Sequence, residues 1–149
     1  MTSWDEITQA IGIALSGERE RGKELLQNCW SATGQEDHAQ RCVIAHYLAD
    51  THDDLGHEVD WDERALSEHT HVNDQDLAPI GIPTARGLAP SLHLNLGDGY
   101  LRQGHLEHAQ KQLAAGLAHT DALSDDGYGA MIRKGLTGLQ ERIQAASTA

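Results

Sequence analysis

The sequence contains no phenylalanine, and only three tryptophans and three tyrosines stand among its 149 residues. A core without bulky rings must be packed by Leu and Ala, which favours close helix–helix contact over a sheet-based interior. Valine is scarce and runs of β-branched residues are absent, which argues against an extensive sheet. Two cysteines, Cys29 and Cys42, are too few for a disulfide framework and read as reduced thiols. No stretch has the apolar length that a bilayer span needs. The opening MTSWDEITQA has neither a basic region nor an apolar run, so no secretory leader is expected and the chain reads as cytoplasmic. Positive charge is also short: 11 Lys and Arg stand against 23 Asp and Glu, for a formal net charge of −12. Such a field disfavours nucleic acid and anionic membrane surfaces and favours cationic partners. The preference for Arg over Lys, with abundant Ala, Gly, Asp and His, fits a GC-rich bacterial genome.

Helical periodicity dominates what remains, and the length suits one domain spanning residues 1–149. Ser3 and Glu6 form a capping-box pattern at the head of a first helix that runs to Gly17. A second follows almost at once, with Leu25, Leu26, Cys29 and Trp30 at helical spacing, so residues 4–33 are expected to form an antiparallel hairpin. RCVIAHYLADTHDD predicts a long helix ending near Leu55–Gly56, and VDWDERALSEHT one that packs back on it, making a hairpin over 36–71. Residues 72–89 hold two of the three prolines and no apolar period, and read as a long loop. Pro90 fits the first turn of another helix, and a turn at Gly104 completes a third hairpin over 90–120. Ser124, Asp125 and Asp126 supply a cap for a closing helix over about 125–146.

In the third hairpin, Leu96–Gly97, Tyr100, Gly104, Ala109 and Leu113 stand at the spacings of a tetratricopeptide repeat, which the segment resembles. Gly97 and Ala109 would let the two helices approach, Tyr100 would fill the gap, and Gly104 would turn the chain. The first hairpin resembles the pattern through Ala10, Gly17, Gly22, Leu26, Cys29 and Trp30. The second does so through Leu48, Ala49 and Leu55–Gly56, although Trp61 replaces a small residue and Ala65–Leu66 arrives early. The whole chain is also similar to a group of small actinobacterial tetratricopeptide-type proteins, through RCVIAHYLAD, PSLHLNLGDGY and DDGYGAMIRKG. The resemblance implies an all-α, degenerate superhelix of three hairpins plus a capping helix, with the first helix of each hairpin lining a concave face.

On a helical wheel, Ile44, Ala45, Leu48, Thr51 and Leu55 share one arc, with His52 and Arg41, while His46, Asp50 and Asp53 form an opposite polar stripe at i, i+4 and i+7. Ser91, Asn95, Asp98 and Arg102 form a matching stripe on the third hairpin. The resemblance implies that both stripes line one groove. The expected function is a protein- or peptide-binding scaffold for a basic partner, using His46, Asp50, Asp53, Asn95, Asp98 and Arg102. Aspartates would pair with Lys or Arg, Asn95 would hold a backbone amide, and His46 would make affinity pH-sensitive near neutrality.

Two sharper readings use the same residues. His46 and Asp50, one turn apart, could share a metal ion with His69 and His71, or could act as an oriented base beside Cys42. No Cys-x-x-Cys, His-Glu-x-x-His, nucleophile elbow, phosphate loop or dinucleotide glycine pattern supports either. No catalytic residue, metal site or cofactor is therefore expected, and a scaffold is expected rather than an enzyme. A small-molecule or metal-binding groove with the 72–89 loop as lid is the alternative. His52 and His93 read as core histidines, Trp30 and Trp61 as anchors between hairpins, and Tyr128 and Arg133 as candidates to close one end of the groove. Self-association stays open.

Overall fold

The structure is a computed structural model that describes residues 2–148. Residues 1 and 149, the ends of the expected domain, lie outside the described residues. The fold is all-α: seven α-helices, three short 3-10 helices and, among the described residues, no strand. The helices are α1 (Trp4–Leu15), α2 (Arg19–Ala32), α3 (His38–Ala49), α4 (Leu55–His69), α5 (Ala89–Arg102), α6 (Leu106–Leu117) and α7 (Gly127–Ser147). They pair as antiparallel hairpins α1–α2, α3–α4 and α5–α6, each packed on the next through α2 with α3 and α4 with α5, while α7 closes the end against α5 and α6. No helix of the described residues is long and apolar enough to cross a membrane.

Local chemistry starts and stops these helices. The Ser3 hydroxyl accepts the Glu6 amide at 3.2 Å at the head of α1, and the Asp126 carboxylate accepts the Gly129 amide at 2.8 Å at the head of α7. Pro90 sits in the first turn of α5 as expected. Gly104 makes the α5–α6 turn at φ 81°, in the left-handed region that favours glycine.

The helix predicted to reach Leu55 ends at Ala49 instead. The Thr51 hydroxyl donates to the Leu48 carbonyl at 2.7 Å, and the His52 ring donates to the same oxygen at 2.9 Å. Those side chains satisfy the C-terminal carbonyl that further helix would have used. Asp54 then caps α4 by accepting the His57 amide at 2.9 Å, so Leu55 and Gly56 begin the next helix rather than end the previous one.

Residues 72–89 are also more ordered than their composition predicts. They form 3-10 helices at Asp74–Ile80 and Ala85–Leu88, and Leu77 and Leu88 are buried in the same core as Ile44, Leu48 and Leu92. Polar bonds hold the outside: the Ala85 amide donates to Asp74 at 3.0 Å, and His69 donates to the Ala85 carbonyl at 2.7 Å. Leu77 and Leu88 thus anchor the segment on the core, while Asn73, Asp74, Gln75, Pro79, Pro83 and Arg86 remain exposed.

Small residues set the helix spacing. A Cβ on Gly97 would stand 2.9 Å from Leu139 and 3.2 Å from Gln112, and Ala109 is fully buried beside it. Trp30 and Trp61 do join neighbouring hairpins, edge to face with centroids 4.9 Å apart, and the Arg41 guanidinium covers Trp30 at 3.9 Å. The tightest approach is at Gly22, where a Cβ would lie 2.4 Å from the Ala14 Cβ and 2.5 Å from its Cα. Gly22→Ala is therefore expected to destabilise the fold by about 2 kcal/mol, although alanine is the better helix former, because α1 and α2 must part. Urea unfolding of the two proteins checks this; an unchanged or raised midpoint overturns it.

Candidate functional site

The first hairpin meets α3 mainly through α2, and the third meets the second mainly through α4 and α5. α3 and α5 both pack against α4, and Asn95 of α5 meets His46 of α3. His46 and Asp50 stand on the α3 wall, Asn95, Asp98 and Arg102 on the α5 wall, and Glu58 and Asp62 on the floor. Five of the six expected site residues are thus brought together. Asp53 is not: because α3 stops early, it lies on the α3–α4 turn, its side chain is 85% exposed, and Arg19 of α2 pairs with it at 2.6 Å.

The walls are tied by hydrogen bonds and ion pairs. The Asn95 amide donates to His46 Nδ1 at 3.4 Å, which leaves the neutral imidazole protonated at Nε2. Arg102 donates to Glu58 and, at 3.0 Å, to Asp98, while Arg142 of α7 donates to the other Asp98 oxygen at 2.5 Å. Two guanidiniums therefore engage Glu58 and Asp98. Arg102, expected to meet a ligand, is occupied within the protein.

Asp62 was not legible as a site residue and is the most unusual group in the groove. It is 3% exposed. Its surroundings push its pKa up to about 9, first by burial, then through Asp50 and Glu58, with Arg102 opposing and Asp98 adding. Asp50 reaches solvent but sits between the walls, where the crowded protein displaces much of its water. Its pKa rises to about 6 by that desolvation and by Glu58 and Asp98, against the pull of Arg19 and Arg102. Asp50 therefore raises the proton affinity of Asp62, with Arg102 opposing at both. The clue in the sequence was Asp62 at i+3 from Val59 and i−3 from Ala65, a carboxylate on the buried arc of α4.

His46 corrects an expectation. It is 7% exposed, and burial alone lowers its pKa to about 4, so it stays neutral near pH 7 and gives no pH sensitivity there. Cys42 is fully buried, its thiol pushed up to about 12 by burial and then by Glu68, which leaves it without the thiolate that nucleophilic attack requires.

The remaining histidine candidates serve the scaffold. His69 is held by Ala85, His71 stacks on His38 with centroids 4.6 Å apart, and His93 shares a 2.7 Å hydrogen bond with Gln112. Among the described residues no three or more His, Cys, Asp or Glu side chains converge as a set that could hold a metal ion. The Tyr128 hydroxyl donates to Ser91 at 3.0 Å and brings α7 to the α5 wall, whereas Arg133 spends its donors on the Thr120, Leu123 and Ser124 carbonyls. The arrangement offers acceptors and negative charge, a chemistry suited to a cation. Comparison with family models, with curated proteins and with solved structures finds no match to this chain.

Proposed function

We propose that this chain is a partner-binding scaffold, a degenerate tetratricopeptide-like array whose groove between α3 and α5 receives a basic segment of another protein. The observation that carries the reading is the acidic set Asp50, Glu58, Asp62 and Asp98, within which burial and then the neighbouring carboxylates raise the pKa values of Asp50 and Asp62. A charge kept in that position gains most from an arriving cation, because the protein around it screens poorly. The residues that would meet the partner are Asp50, Asp62 and the Asp98 edge, with Asn95 and His46 setting the width of the channel. The two free, buried cysteines fit a reducing compartment such as the cytoplasm.

The test is fluorescence anisotropy with labelled pentalysine, pentaarginine and pentaglutamate. The basic peptides should bind and the acidic one should not, with affinity falling as salt rises. Asp50→Asn combined with Glu58→Gln should weaken basic-peptide binding about tenfold, equivalent to about 1.4 kcal/mol. Equal binding of all three peptides, or no effect of the double variant, overturns the reading.

A further inference from the structure

The 72–89 segment meets the link into α7 around a cavity of about 270 Å³, none of whose lining residues belongs to the proposed groove. Ile80, Ile82 and Pro83 line it from the segment, and Ala122 and Leu123 from the link. The two sides meet at Gly87, where an added Cβ would stand 3.3 Å from Ile82 and 3.5 Å from the Ala122 carbonyl oxygen. We infer that this cavity is a binding site for a small arylalkylamine, a single ring on a short chain that ends in an ammonium group.

The two sides are fastened to each other. Arg86, beside Gly87, donates to both Asp121 oxygens at 2.8 and 2.6 Å and to the Ala118 carbonyl at 3.1 Å. Its Nε donates to His119 at 2.9 Å, so one guanidinium ties the segment to residues 118–121. From α7, Arg133 donates to the Leu123 carbonyl at 3.2 Å and to those of Thr120 and Ser124 at 3.4 Å. These bonds fix the apolar walls in place, so a ligand meets a preformed surface and orders little on arrival.

Size and charge select the ligand. A dry cavity of about 150 Å³ accommodates benzene, and drug-sized ligands need about 300 Å³ or more. The volume here therefore matches one ring with a short chain. Among the described residues that line the cavity, Asp126 alone is charged, and it is exposed at the head of α7. One of its oxygens caps α7 by accepting the Gly129 amide at 2.8 Å, and a carboxylate has a second oxygen with which to receive an ammonium. The guanidiniums of Arg86 and Arg133 are spent on the scaffold. An aryl carboxylate would instead meet Asp126 and a chain of formal net charge −12.

The experiment is an amide NMR titration of the full chain with phenethylamine, reading Gly81 and Gly87. Both amides should shift saturably. Phenylacetate, in which attraction becomes repulsion, should bind about tenfold more weakly. n-Butylamine, which keeps the charge and lacks the ring, should also bind about tenfold more weakly. Asp126→Asn keeps the cap and removes the charge, so it should weaken phenethylamine about threefold. Ala122→Phe, which sets a ring in the cavity, should abolish the shifts. Should that variant lose its circular dichroism, Ile82→Ala takes its place and should weaken binding about threefold.

No shift at Gly81 and Gly87, or shifts that both cavity variants leave unchanged, overturns the site. Shifts centred on Asn95 and Asp98 place the amine in the groove and overturn it too. Phenylacetate matching phenethylamine overturns the ammonium, and n-butylamine matching it overturns the ring.

Discussion

At pH 8 the Asp62→Asn protein should be more stable than the wild type by on the order of 3 kcal/mol, and the gain should fade as pH approaches 4. In the unfolded chain this carboxyl ionises near 3.8, whereas in the fold burial and its acidic neighbours raise it to about 9. Below pH 4 both states carry the proton and the side chain has no linkage cost. Between those values the folded state holds a proton that the unfolded state has released, so stability falls steadily as pH rises. Each pH unit in that window corresponds to at most about 1.4 kcal/mol, and relaxation of Arg102 toward Asp62 would absorb part of the total. Asparagine keeps the shape, carries no charge at any pH and removes the slope. Urea unfolding of both proteins at pH 4, 6 and 8 measures it. A gain of the same size at every pH, or a loss at pH 8, would show that Asp62 is not held in the environment described.

Such a group is costly to the free protein at high pH. A carboxyl that destabilises the free protein at pH 8 is relieved by any ligand that brings it a positive charge.

The parts of this architecture legible in the sequence were those governed by local rules. Ser3 and Glu6, Pro90, Gly104 and Asp126 marked helix ends through capping and turn chemistry, and the structure uses each of them there. Two features were decided by contacts that periodicity does not register. The end of α3 is set by Thr51 and His52 turning back on Leu48, and a wheel drawn through them carried Asp53 onto a face it never joins. The 72–89 segment lacks an apolar period because its buried residues, Leu77 and Leu88, lie on separate 3-10 turns.

The site was legible to the same degree. Polar stripes on α3 and α5 were visible, and His46 of one meets Asn95 of the other. The wheel was drawn only for the first helix of each hairpin, so the acids of α4 were not weighed. Asp62 was among them: its position in the α4 repeat is a buried one, and only packing against α5 shows that the burial is among carboxylates.

His46 gives the second large expected effect, opposite in sign and at the other end of the pH range. Its pKa is lowered from 6.5 to about 4 by burial, so the folded protein resists taking a proton that the unfolded chain accepts. Its contribution is fully present above pH 6.5 and is lost as pH falls toward 4. The difference in unfolding free energy between the wild type and His46→Leu should therefore shrink by about 3 kcal/mol between pH 7 and pH 4. Asp50 and Asp62 titrate in both proteins and largely cancel in that difference. Leucine also leaves the Asn95 amide without its acceptor, but that cost does not vary with pH. Parallel pH profiles for the two proteins would mean that the imidazole is accessible to solvent. The converging profiles expected here would leave the neutral-range pH response of the groove to Asp62, the carboxyl on its floor, rather than to the histidine on its wall.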